Sequence, residues 1–208
     1  LHLAMLALDL KRGDKVVCSV NAHPNVPEVV RHFDAEPVFI DIDPDNYNIN
    51  LDKLESYLAD NESKKLKAVI LTHIGGNCAD LDRVYKMAKI YDVKIVEDAT
   101  DAFGATYKGE KIGSTGADIT CFDFSPHLKK NICNGGMLVT NDDEIMERAS
   151  LLANHAIVRD EDSLDYIYNV TDIGHDYSLS ELNAAYIRAQ VKSQDKNIAR
   201  QQEIAKSY

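Results

Sequence analysis

No apolar stretch in this sequence approaches the ~18 residues that mark a membrane-crossing helix, and no signal-peptide pattern opens it. A membrane role is therefore not expected. Basic charge is scarce: 23 lysines and arginines stand against 34 aspartates and glutamates, for a formal net charge of -11. Phosphate-backbone binding wants a basic footprint, so neither nucleic acid nor an anionic lipid surface is an expected partner. A local basic spot could still hold a single phosphate. The four cysteines (Cys18, Cys78, Cys121 and Cys133) form no CxxC pair. Three of them sit in or beside apolar runs, which reads as reduced thiols in a cytoplasmic protein. The histidines are dispersed, and no His/Cys/Asp spacing fits a metal site, so no metal is expected. Repeats and low-complexity tracts are absent too. The first residues, LHLAMLALDL, read as the middle of a helix without an initiator methionine, so further residues are expected before Leu1.

What the chain does contain is an alternation of strand and helix signals. Short apolar runs occur at Lys15–Val20, Glu36–Ile42, Ala68–His73, Lys94–Ala99, Asp118–Phe124 and Gly135–Thr140. Most are continuous over four to six residues and do not alternate, which is how strands covered on both faces read. Helical spacing fills intervals between them: Leu51, Leu54 and Leu58; then Leu81, Val84, Met87, Ala88 and Tyr91. A third helix follows Asn141 or Asp142 as N-cap, with acidic residues in its first turn. A fourth follows Ser178 or Ser180. The predicted fold class is α/β, a three-layer α/β/α sandwich with a mostly parallel central sheet. From about Ser193 the chain turns polar while staying helical. The expected division is a large domain over residues 1–192 and a linker helix over 193–208 leading to a further small domain.

Ligands on such sheets bind outside the carboxyl ends of the strands. That singles out Asn21-Ala22-His23, His73 to Gly76, Glu97-Asp98, and Ser125 to Lys130. Asp98 closes an apolar strand, where a carboxylate is costly unless paired. It reads either as a helix cap or as the partner of a protonated ring nitrogen. Lys129 and Lys130 read either as a solvated loop or as a nucleophile made available by a neighbouring cation. The polar tips of Ser125 and Asn131 could serve a phosphate. Taken together these groups suit an aldehyde cofactor, which needs a lysine, an acid for its ring nitrogen and a ring to stack on it.

Longer motifs carry a resemblance. AEPVFIDIDPDNYNINLDKLE, VEDATDAFGATYKGEKIGSTGADITCFDFSPHLKKNICNGGMLVTND, LLANHAIV and DIGHDYSLSELNAAYIRAQ resemble successive segments of the DegT-type family of pyridoxal-phosphate-dependent nucleotide-sugar aminotransferases. The likeness runs over nearly the whole chain. It implies a fold type I aminotransferase large domain and pyridoxal 5'-phosphate as cofactor. It further implies a nucleotide-sugar substrate, glutamate as amino donor, and a homodimer with shared active sites. The sugars that such a family makes usually serve surface polysaccharides or glycans.

Residue by residue, the resemblance puts Asp98 on the aspartate that pairs with the pyridinium nitrogen, and His23 on the aromatic residue stacked over the ring. Asn154-His155 falls on an Asn-His pair of the family. Asp101 stands where a Gln or His lies near the phenolic oxygen, and Asp123 where a serine helps hold the phosphate. Asp176 stands where an asparagine reaches the partner subunit's phosphate, with Ser178 replacing an arginine. Three carboxylates around a dianion are unfavourable, by about 1 to 4 kcal/mol each at about 4 Å. Counted without gaps, the Schiff-base lysine position falls on Leu128; Lys130 matches with a shift of two residues and Lys129 with a shift of one. Asn134 replaces a glutamate before the glycine pair. The leading expectation is an active aminotransferase using Lys130. The alternatives are a catalytically inactive homologue serving as a structural or partner subunit, and a histidine-type sugar dehydratase in which His127 replaces the lysine.

Overall fold

A computed structural model describes residues 1–125, 134–159, 164 and 166–208. In chain order the elements are α1 (His2–Ala7), β1 (Lys15–Ser19), α2 (Asn25–Arg31), β2 (Glu36–Ile40), α3 (Leu51–Asp60), β3 (Leu66–Thr72), α4 (Leu81–Tyr91) and β4 (Lys94–Asp98). There follow β5 (Thr106–Tyr107), β6 (Glu110–Lys111), β7 (Ile119–Asp123), β8 (Gly136–Val139), α5 (Asp143–Leu152), β9 (Ile157–Val158), β10 (Asn169–Val170) and α6 (Glu181–Ala205). All six predicted strands form, each within two residues of its expected ends.

They build one six-stranded sheet in the order β2-β1-β3-β4-β7-β8, parallel except for β8, which runs antiparallel to β7. Strand alternation sends successive side chains into two separate cores. Val17, Val69, Leu71 and Ile95 pack with Leu54 and Leu58 of α3 and Leu81, Val84 and Met87 of α4. Val16, Ala68, Ile70 and Val96 pack on the other face with Met5 of α1, Val30 of α2 and Ile145 and Ala149 of α5. This double covering is the physical reason the strands read as unbroken apolar runs. Ile70 is fully buried, and its truncation to alanine is expected to cost about 2–5 kcal/mol.

The helices start where the sequence offers an oxygen to an orphan amide. Asn50 accepts from Lys53 N–H at 3.0 Å, Asp142 from Ile145 N–H at 3.1 Å and Ser180 from Asn183 N–H at 3.3 Å. The caps are thus Asp142 and Ser180 among the pairs the sequence offered. The short helix α2 was not expected; with Pro27 in its first turn and three valines, it gives a weak propensity signal. Ser193, where the sequence turns polar, lies inside α6, and the helix runs through that position without a break.

The glycine pair Gly135-Gly136 is explained by contacts. A β-carbon on Gly135 would meet Ile187 Cδ1 of α6 at 2.5 Å, and one on Gly136 would meet the Phe122 carbonyl oxygen at 2.7 Å. The glycine pair lets β8 lie against β7 and α6 at once. Among the described residues no helix is long and apolar enough to cross a membrane.

Candidate active site

The carboxyl ends of β1, β3, β4 and β7 lie side by side along one edge of the sheet. Asp98 ends β4 and is 3% exposed. Its Oδ1 accepts the Thr100 hydroxyl at 2.6 Å and the Thr100 N–H at 3.2 Å. Its Oδ2 accepts no hydrogen bond among the described residues. Parallel register sets Thr72 beside Asp98 on one side and Cys121 on the other. The His73 N–H also donates to the Asp98 carbonyl at 3.2 Å, which ties the ends of β3 and β4 together.

Glu97 points to the opposite face and is fully buried. Tyr85 OH donates to Oε1 at 2.6 Å and Thr120 Oγ1 donates to Oε2 at 2.9 Å. His73 Nε2 stands 3.8 Å from Oε1, a spacing of charge proximity and longer than a hydrogen bond. Burial pushes the Glu97 carboxyl up, but His73, Tyr85 and Thr120 together outweigh it and hold the group below its usual range. Burial first, and then the bond to Glu97, push the Tyr85 phenol far up, so it remains a donor.

The other expected site residues divide by place. His23 follows β1; its ring is exposed and its Nδ1 accepts the Asn25 N–H at 3.3 Å. Asp101 is exposed in the turn after β4. Asp123 ends β7 and its Oδ1 accepts the Ser125 N–H at 2.7 Å, so Asp123 and Ser125 form one turn at the sheet edge. Asp176 lies apart from this row. It is exposed, bridges to Asn154 after α5, and accepts the Ser178 N–H at 2.8 Å. Hydrogen bonds from Ser178 hold its carboxyl below the usual range. No hydrogen bond or ion pair joins Asp176 to Asp98, His23 or Asp123 among the described residues. Lys129 and Lys130, with His127, Leu128 and Asn131, lie outside the described residues.

Two participants escaped the sequence reading. Thr100 reaches back two residues to Asp98, a short-range pattern that an aspartate followed by threonine at i+2 announces. Thr72 is a hydroxyl ending an otherwise apolar run. The polar residues therefore fit one end of a protonated aromatic nitrogen heterocycle: a buried carboxylate with one oxygen already saturated and the other free to accept. A cavity of about 950 Å³ lies instead at the amino ends of β3 and β4, lined by Leu66, Lys94, Asp142 and Arg148. There Lys94 is already paired with Asp118 at 2.8 Å, and no expected site residue lines it. The carboxyl edge, with its free carboxylate oxygen, is the better candidate.

Comparison with known proteins follows the same line. A model of the DegT/DnrJ/EryC1/StrS aminotransferase family matches residues 1–208. The chain is 35% identical over 215 residues to an uncharacterized protein of Methanocaldococcus jannaschii, covering 100% of this chain and 54% of that one. It is 34% identical over 214 residues to the UDP-4-amino-4,6-dideoxy-N-acetyl-beta-L-altrosamine transaminase of Campylobacter jejuni, again covering 100% and 54%. The crystal structure of a DegT DnrJ EryC1 StrS aminotransferase from Brucella abortus superposes with a TM-score of 0.88 at 25% identity, over 100% of this chain and 55% of that one. The chain spans about half the length of the curated relatives it matches.

Proposed function

This chain belongs to the DegT/DnrJ/EryC1/StrS aminotransferase family, and from that premise we propose that the protein transfers an amino group from glutamate to the keto carbon of a nucleotide-linked deoxysugar, with pyridoxal phosphate as cofactor. The observation that carries the reading is Asp98: buried at the end of β4, held by Thr100 through one oxygen and open at the other. When bound, pyridoxal phosphate supplies an aldehyde that accepts the amino group from the donor and returns it to the acceptor ketone.

The chain's own residues have distinct tasks in this proposal. Asp98 Oδ2 would accept the ring N–H, and its negative charge would keep that proton in place. Thr100 fixes the carboxylate plane. His23 stacks on the ring. Lys130, or Lys129 beside it, would hold the cofactor through its aldehyde and, once displaced by the donor's amine, would serve as the base for the proton transfer. Ser125 faces the phosphate. Asp101 and Asp123 border the site, and Asp176 serves the neighbouring site of a homodimer. Asp123 and Asp176 each already hold a backbone N–H, which offsets part of their repulsion of a phosphate. Residues 1–192 form the cofactor-binding domain, and residues 193–208 lead toward a further domain.

The test uses the full-length protein. Added pyridoxal phosphate is expected to give a visible absorption band that borohydride bleaches, leaving the cofactor mass on a peptide containing Lys129 and Lys130. Glutamate alone should discharge the band in the unreduced protein. Absence of a band contradicts the proposal. A bound cofactor that resists borohydride would point instead to chemistry without a lysine.

A further inference from the structure

Buried polar side-chain atoms without a hydrogen-bond partner are confined, among the described residues, to Thr72 Oγ1 and the two ring nitrogens of His73. The two residues are consecutive at the end of β3, and they face opposite sides of the sheet. His73 Nε2 has a carboxylate near it, Glu97 at 3.8 Å. The Thr72 hydroxyl has no hydrogen-bond or ion-pair neighbour among the described residues, although the residue is only 9% exposed. Ile70 and Val96 pack in the core formed with α1, α2 and α5. Two residues further along, Thr72 and Asp98 share that face, in register on adjacent parallel strands. Thr72, with its unpaired hydroxyl, is therefore the cross-strand neighbour of Asp98, whose Oδ2 accepts no hydrogen bond among the described residues.

For packing alone this position favours valine, which has the same shape and no hydroxyl to desolvate. We propose that Thr72 is a positioning residue of the cofactor site: its hydroxyl, unpaired in the chain alone, donates to Asp98 Oδ2 when that oxygen takes the ring N–H of pyridoxal phosphate. An ionised carboxylate oxygen has lone pairs for both donors. The added bond fixes the Asp98 carboxylate against the ring. The inference rests on the cofactor proposed above.

The test compares full-length wild type, Thr72→Val and Thr72→Ser by two readouts: thermal midpoint without cofactor, and the dissociation constant for pyridoxal phosphate by absorbance titration. Because the hydroxyl is unpaired without ligand, Thr72→Val should leave the midpoint unchanged or raise it. The same variant should weaken cofactor binding about ten-fold, the loss of one charge-assisted hydrogen bond. Thr72→Ser, which keeps the hydroxyl, should bind as wild type does. A Thr72→Val protein that binds as tightly as wild type overturns this inference alone. So does one whose midpoint falls several degrees, because that marks a structural hydroxyl. If wild type itself binds no pyridoxal phosphate, the functional proposal falls and takes this one with it.

Discussion

Glu97 and Asp98 are consecutive residues on one strand, both carboxylates and both buried, yet their surroundings are opposite. Glu97 is enclosed: Tyr85 and Thr120 donate to its two oxygens, and His73 lies close by. Asp98 is half enclosed: Thr100 occupies one oxygen and the other waits. Alternation on the strand separates the two, sending Glu97 toward α4 and Asp98 toward the face that carries α1, α2 and α5. The difference teaches how to tell a structural acid from a functional one. A buried carboxylate that the protein fully satisfies stabilises the fold. One left partly open is meant for a ligand.

The largest effect that could break this contrast is on catalysis. Asp98→Asn keeps a carbonyl oxygen for Thr100 but removes the charge, so transamination by the full-length protein should fall about 100-fold or more. Unfolding free energy should shift by less than about 1 kcal/mol. Glu97→Gln should do the reverse. An amide placed between the Tyr85 and Thr120 donors, with His73 close by, leaves mismatched hydrogen bonds, and chemical denaturation should show a loss of about 2 kcal/mol with cofactor affinity little changed.

Acid sharpens the same point. The folded Glu97 carboxyl is held below its ordinary range. The stability it contributes is present above the unfolded value of about 4.3 and is lost as pH falls below it. Unfolding curves of Glu97→Gln should therefore converge on wild type as pH drops through that region, and a gap that stays constant would argue against an ionised Glu97. The smallest effect expected is from Tyr85→Phe, which removes one of the donors to Glu97 and should cost about 1 kcal/mol by denaturation, with no change in cofactor binding.

Much of this fold was legible because strands buried on both faces leave an unmistakable trace. The six apolar runs, the cap pairs that include Asp142 and Ser180, and the placement of Asp98 at a strand end all follow from local pattern. The short helix α2 was not legible, since Pro27 and a cluster of valines speak against a helix and packing on the sheet decides in its favour. The site was legible in part. Asp98 could be singled out, but whether it capped a helix or served a ligand depended on Thr100 and on which oxygen stayed open. Thr72 carried no signal, because its importance lies in a missing hydrogen bond and in cross-strand register with Asp98. Asp123 and Asp176 read as misplaced charges until their turns were seen, where each accepts the amide two residues on.

The most direct measurement is a paired one on Asp98→Asn and Glu97→Gln: absorbance titration with pyridoxal phosphate, and chemical denaturation of the same samples. The division between an open and a closed carboxylate predicts that Asp98→Asn keeps its stability and loses tight cofactor binding, while Glu97→Gln binds the cofactor and loses stability. Wild-type binding by Asp98→Asn, or lost binding with intact stability in Glu97→Gln, would contradict it.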